Sequence, residues 1–227
     1  MSSIQVAQRN SVHSTLTGFV SGDRHLSSEQ MMDRVSRATT VLAGLGIRPN
    51  DHVAIMLRND FPFLEASYAA QALGAVPVPV NWHYKADEVR FILNDSDAKV
   101  LVVHADLLPQ IDGVVPGQCK VMVVDTPPEV AAAYGCPQAT APEGSSWNAA
   151  VDAAEPWEHE AQPAAPSMIY TSGSTGTPKG VRRAAPLDLS NPVMMEAVAA
   201  LGITPSMRTV VCGPIIGAMS GSADSLS

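Results

Sequence analysis

Four apolar runs of strand length do most to limit what this chain can fold into: residues 53–57 (Val-Ala-Ile-Met-Leu), 76–80, 99–103 and 120–124. None alternates in polarity, so a sheet built from them must be covered on both faces, which is the condition of parallel strands flanked by helices. The stretches between them carry helix signals. Ser27 stands where an N-cap belongs and Gln30 completes a capping box, while Met31, Val35, Ala38, Leu42 and Leu45 fall on one face before Gly46 and Pro49 end the pattern. Asn59 and Asp60 are expected to cap a second helix from about 61 to 73, with Pro62 tolerated in its first turn and Gly74 beyond its end. A shorter helix is predicted over 87–93, and a helical piece near Leu107. Pro77 and Pro79 send the 76–80 run to a sheet edge or a strand end, because proline cannot donate to a ladder. The expected fold class is α/β, with parallel or mixed sheets flanked by helices.

A second feature has a different composition. Residues 167–170 (Ser-Met-Ile-Tyr) predict a short buried strand, and Thr171-Ser172-Gly173-Ser174-Thr175-Gly176-Thr177-Pro178-Lys179-Gly180 comes directly after it. Glycines let backbone N–H groups converge on an anion, hydroxyls add neutral donors, and a lysine supplies a mobile point charge. A Gly/Ser/Thr linker shares that composition, so it is the order of residues that carries weight. A Walker-type loop does not fit: counting from Gly173, Pro178 occupies the place of the second glycine, and Lys179 is followed by Gly180 instead of Ser or Thr. Arg182 and Arg183 extend the local positive charge, but a solvated pair after a strand explains them better than a ligand contact does.

The ten residues 171–180 resemble the signature of the AMP-forming adenylating enzymes, which include acyl-CoA synthetases, luciferases of the firefly type and peptide-synthetase adenylation domains. The block 70–80 (Ala-Gln-Ala-Leu-Gly-Ala-Val-Pro-Val-Pro-Val), with 88–93 and 95–103 behind it, is similar to the same family. The resemblance implies a two-step ligase. A carboxylate attacks the α-phosphorus of ATP to give an acyl-adenylate and pyrophosphate, and the thiol of coenzyme A then displaces AMP. It further implies that Thr171, Ser172, Gly173, Ser174, Thr175, Gly176, Thr177, Lys179 and Gly180 bind the ATP phosphates, with residues 1–214 forming part of an N-terminal AMP-binding domain.

The family's Tyr-Gly-x-Thr-Glu segment for adenine and Mg2+, its Arg-Thr-Gly-Asp segment for ribose and its C-terminal catalytic lysine have no match among the 227 residues. The expectation is therefore an incomplete N-terminal domain of an adenylate-forming enzyme, weak or inactive alone, with no catalytic residue assigned and the Mg2+ site lying elsewhere. After residues 209–212, where the family continues with an aromatic residue and a histidine, the chain reads Gly213-Pro214-Ile215-Ile216, and 215–227 reads as a serine-rich tail of different origin. Two alternatives stay open: a stand-alone ATP- or polyphosphate-binding module without catalysis, and a non-functional truncated product. Similarity of 81–108 to fatty-acyl members tilts the acid toward a lipid-like one.

Composition narrows the partners. A net charge of −8 argues against a general nucleic-acid surface, and no apolar run approaches the roughly 20 residues of a membrane span. Three scattered cysteines without a C-x-x-C pair read as reduced thiols, so a cytoplasmic setting is expected. His13, His25, His52, His83, His104 and His159 show no metal spacing and are read as packing or surface residues. Residues 126–166, rich in Ala, Pro, Glu and Gly, read as a long surface excursion with one helical turn or as a partly flexible segment, and Trp147 and Trp157 are expected to anchor the loop to the domain in preference to marking a binding surface. A helix at 194–202 and a strand at 209–212 complete the expected elements.

Overall fold

A computed structural model describes residues 18–171 and 179–182. The expected helix at 194–202, the strand at 209–212 and the tail 215–227 lie outside the described residues. The described chain opens with a ribbon of two three-residue strands, β1 (Phe19–Ser21) and β2 (Arg24–Leu26), which have no apolar run to announce them. The first helix, α1 (Ser28–Gly44), begins as expected: Ser27 accepts from the Gln30 N–H at 3.1 Å and the Ser27 N–H donates to the Gln30 side chain at 2.8 Å. Its stripe of Met31, Val35, Ala38 and Leu42 is buried, while Leu45 is half-buried at the C-cap.

The chain then alternates strand and helix: β3 (His52–Met56), α2 (Phe61–Ala72), β4 (Val76–Pro79), α3 (Ala86–Asp95), β5 (Ala98–His104), a 3-10 turn (Ala105–Ile111) and β6 (Lys120–Val124). The four strands form one parallel sheet in the order β4-β3-β5-β6. As the prolines require, β4 is at an edge. Val76 donates to the Asp51 carbonyl and Val80 to the Ile55 carbonyl, both at 2.8 Å, while Pro77 and Pro79, which have no N–H, need no partner on the other side. Gly74, with φ +67, makes the left-handed turn that ends α2 and brings the chain into β4.

Side chains on successive strand positions go to opposite faces. Val53, Ile55, Leu57, Val100, Val102 and Val124 pack with α1 and α2, and Ala54, Met56, Val78, Leu101, Val103 and Val123 pack with α3 and the 3-10 turn. Asp60 departs from expectation. It is the N-cap residue of α2 but makes no capping hydrogen bond, because its buried carboxylate accepts from Arg24 at 2.7 Å and so ties the β1–β2 ribbon to the domain. An ion pair with a guanidinium is the stronger claim on that carboxylate.

The excursion after β6 is more ordered than its composition indicates. It contains α4 (Pro128–Tyr134) and α5 (Trp147–Ala153). Trp147 is fully buried and donates its indole N–H to Glu65 at 2.9 Å, so the expected anchoring role holds for this tryptophan. Glu65, itself fully buried in α2, also accepts from Arg34 of α1, which reaches on to Asp152 at 2.7 Å. One carboxylate thus joins α1, α2 and α5. Trp147→Ala is expected to lower the unfolding free energy by about 3–5 kcal/mol, the usual cost of emptying a buried aromatic site. Trp147→Phe, which keeps a smaller ring but removes the donor to Glu65, is expected to cost about 1–3 kcal/mol. Urea titration checks both, and a Trp147→Phe variant as stable as the unaltered chain would contradict a role for the Glu65 bond.

Candidate functional site

In a parallel sheet the segments leaving the C-terminal strand ends collect along one edge, where ligands of open α/β sheets bind. Arg58 comes after β3, Trp82 after β4, Asp106 after β5 and Thr126 after β6. The Arg58 guanidinium donates to both oxygens of Asp106, at 2.7 Å each, and the Thr126 hydroxyl donates to the same carboxylate at 2.7 Å. Arg58 also lies over the rings of Trp82, at 4.8 Å, and Tyr134, at 5.5 Å. Beside this cluster opens a cleft of about 520 Å³ lined by Arg58, Trp82, His83, Tyr84, Lys85, Ala86, Asp106, Leu107 and Gln110. Gln110 donates to the carbonyls of Trp82 and Tyr84 and so fixes one wall.

His104, at the end of β5, is fully buried, and its Nδ1 accepts the Arg58 backbone N–H at 3.1 Å. Burial, and then the neighbouring Arg58 charge, bring its pKa down to about 4. It is a packing histidine, as its lack of metal spacing led one to expect. Burial pushes the Asp106 carboxyl upward, but the hydrogen bonds from Arg58 and Thr126 and the Arg58 charge outweigh that, so the group sits below the ordinary carboxylate range. Among the described residues no three His, Cys, Asp or Glu side chains come together to hold a metal ion.

The glycine- and hydroxyl-rich stretch leaves from an antiparallel ribbon against the β4 edge, made of β7 (Met168–Thr171) and β8 (Lys179–Arg182). The lead-in is less buried than its composition implies: Tyr170 is buried, Met168 and Ile169 are half-buried and Thr171 is exposed, because this strand belongs to a two-stranded ribbon and not to the central sheet. Thr171 pairs with Lys179 and Tyr170 with Gly180, so the two ends of the stretch lie side by side. Of the expected phosphate-binding residues, Thr171, Lys179 and Gly180 are thereby brought together. Ser172, Gly173, Ser174, Thr175, Gly176 and Thr177 lie outside the described residues. The Tyr84 hydroxyl reaches the Tyr170 carbonyl at 3.5 Å, which connects the ribbon to the wall of the cleft.

Sequence reasoning did not find Arg58, Asp106 and Thr126. Their signal was a charged or hydroxyl residue two positions after the end of three of the four apolar strands, β3, β5 and β6.

The chain belongs to the AMP-binding enzyme family, whose model matches residues 5–215. It is 34% identical over 185 residues to the long-chain-fatty-acid–CoA ligase FadD13 of Mycobacterium tuberculosis, a match covering 77% of this chain and 33% of that protein. It is 31% identical over 159 residues to the fatty acid–[acyl-carrier-protein] ligase ScoC of Streptomyces coeruleorubidus, covering 70% of this chain and 28% of the relative. The chain therefore spans about a third of the length of these curated relatives. Among solved structures, it resembles the anthranilate CoA ligase AuaEII in complex with anthranoyl-AMP, with TM-score 0.62, 27% identity, and coverage of 73% of this chain and 31% of that one. It also resembles the N-terminal domain of FACL13 from Mycobacterium tuberculosis, with TM-score 0.58, 31% identity, and coverage of 74% and 40%. The chain matches the N-terminal part of AMP-forming acyl-CoA ligases.

Burial of a histidine makes stability depend on pH. His104 has a folded pKa of about 4, below its ordinary value of 6.5, so the unfolded chain binds the extra proton between those two limits. The stabilisation is fully present above about pH 6.5 and is lost as pH falls toward 4, with a maximum near 3 kcal/mol. Asp106 acts lower, its contribution fading below its ordinary 3.8. Urea unfolding at pH 7, 5.5 and 4.5 is expected to show this fall, and His104→Gln to flatten it; a variant as pH-sensitive as the unaltered chain would contradict the assignment.

Proposed function

We propose that this chain is the phosphate-gripping N-terminal part of an AMP-forming acyl-CoA ligase, in which a carboxylic acid and ATP give an acyl-adenylate and pyrophosphate before coenzyme A accepts the acyl group. The observation that carries the reading is the Thr171–Lys179 pairing, which brings together the two ends of a stretch of hydroxyls, glycines and backbone amides. In this reading Thr171, Ser172, Gly173, Ser174, Thr175, Gly176, Thr177, Lys179 and Gly180 hold the β- and γ-phosphates. Their N–H and O–H groups and the Lys179 ammonium offset the negative charge that builds on pyrophosphate as it leaves the α-phosphorus. FadD13 and ScoC both take fatty acids by name, which supports a lipid-like acid as the carboxylate.

The assignment is one of binding, so binding tests it. ATP and inorganic pyrophosphate are each expected to raise the melting temperature of the chain in proportion to the logarithm of ligand concentration, and AMP to do so much less. Lys179→Ala is expected to weaken both polyphosphates by about tenfold or more, the scale of a charge-assisted contact. Equal stabilisation by AMP and ATP, or an unaffected Lys179→Ala variant, would overturn the reading.

A further inference from the structure

Besides lying against β4 and meeting Tyr84, the ribbon that carries Thr171 and Lys179 is fastened to α3 through Tyr170. Tyr170 is 6% exposed, and its hydroxyl donates to Asp95 Oδ2 at 2.6 Å. Its ring meets Phe91 edge to face, with centroids 6.5 Å apart at 88°. Both partners belong to α3, so the strand end is held to a helix of the main domain by a ring contact and a charge-assisted bond. Asp95 gives its own helix nothing of this kind: it is the last residue of α3, where a carboxylate opposes the macrodipole, and no basic residue stands in that turn to offset it.

The partner strand is fitted to the same ring. Gly180 is opposite Tyr170, and a Cβ at Gly180 would come within 3.1 Å of Tyr170 Cζ and run into Met168 Cε. The methionine end can swing away, but the ring is held by Asp95 and Phe91. A glycine at this register lets the β8 backbone lie close over the ring, one residue from Lys179. Burial, and then the Asp95 hydrogen bond and charge, push the Tyr170 phenol pKa upward, so it stays the donor throughout the physiological range.

We propose that Asp95, acting through Tyr170, is a positioning residue for the phosphate-gripping stretch, fixing where the ribbon presents Thr171 and Lys179. This rests on the proposed phosphate-binding role of that stretch. Asp95 touches no phosphate; it holds the tyrosine that holds the ribbon.

The test uses the full chain and three variants, Tyr170→Phe, Asp95→Ala and Asp95→Asn, with two readouts: backbone hydrogen exchange and affinity for inorganic pyrophosphate. Tyr170→Phe keeps the ring and Asp95→Asn keeps an acceptor, so folding is preserved in both. Tyr170→Phe and Asp95→Ala are expected to speed exchange in residues 168–171 and 179–182 by about tenfold, leave β3 and β5 unchanged, and weaken pyrophosphate by a similar factor. Asp95→Asn is expected to bring both readouts back to within about threefold of the unaltered chain. Unchanged exchange in the ribbon, or faster exchange spread equally over β3 and β5, would overturn the anchor. Failure of the unaltered chain to bind pyrophosphate would instead count against the phosphate reading, and ribbon exchange in the variants decides the anchor in either case.

Discussion

The structure depends on the requirement that a parallel sheet be covered on both faces. Each crossover must carry a helix back over the sheet, and the chain enters every strand from the same side. Helices α1 and α2 cover one face, and α3 with the 3-10 turn covers the other, each fed by alternate residues of the same strands. The consequence for function is positional. The segments that leave the strands arrive at a single edge, and there Arg58, Trp82, Asp106 and Thr126, from four separate segments, form one cluster. The ribbon carrying Thr171 and Lys179 borders the same edge through Tyr84.

Buried charge does the joining in three places. Asp60 accepts from Arg24 and holds the β1–β2 ribbon, Glu65 links α1, α2 and α5, and Asp106 links the exits of β3, β5 and β6. Each carboxylate has at least one guanidinium or other donor, as a buried charge requires. Such links add specificity where apolar packing would permit several placements of a short helix or ribbon. The α5 helix has only seven residues, and the Trp147 indole N–H gives it a defined seat.

Much of the sheet was legible in the sequence, because uninterrupted apolar runs separated by capped helical segments admit few arrangements. Pro77 and Pro79 limited the 76–80 run to a sheet edge or a strand end, and β4 takes the edge. The β1–β2 ribbon was not legible, since two three-residue strands bury no apolar run and are held by a long-range ion pair. The excursion after β6 was underestimated for a similar reason: its alanines and prolines hide the fact that Trp147 has a partner 82 residues away. The 171–180 stretch, to which we assign phosphate binding, was legible as a motif, from residue order. Its fastening to α3 was not, because Asp95 and Tyr170 are 75 residues apart and neither stands in a recognisable pattern.

The central claim is that the stretch between β7 and β8 grips the outer phosphates of a nucleotide. Phosphorus NMR of ATP titrated with the unaltered chain tests it most directly, since each phosphate reports separately. The account predicts that the β- and γ-phosphate resonances shift and broaden on binding more than the α-phosphate does, and that Lys179→Ala removes the difference. Equal perturbation of all three phosphates, or spectra unchanged by the chain, would contradict it.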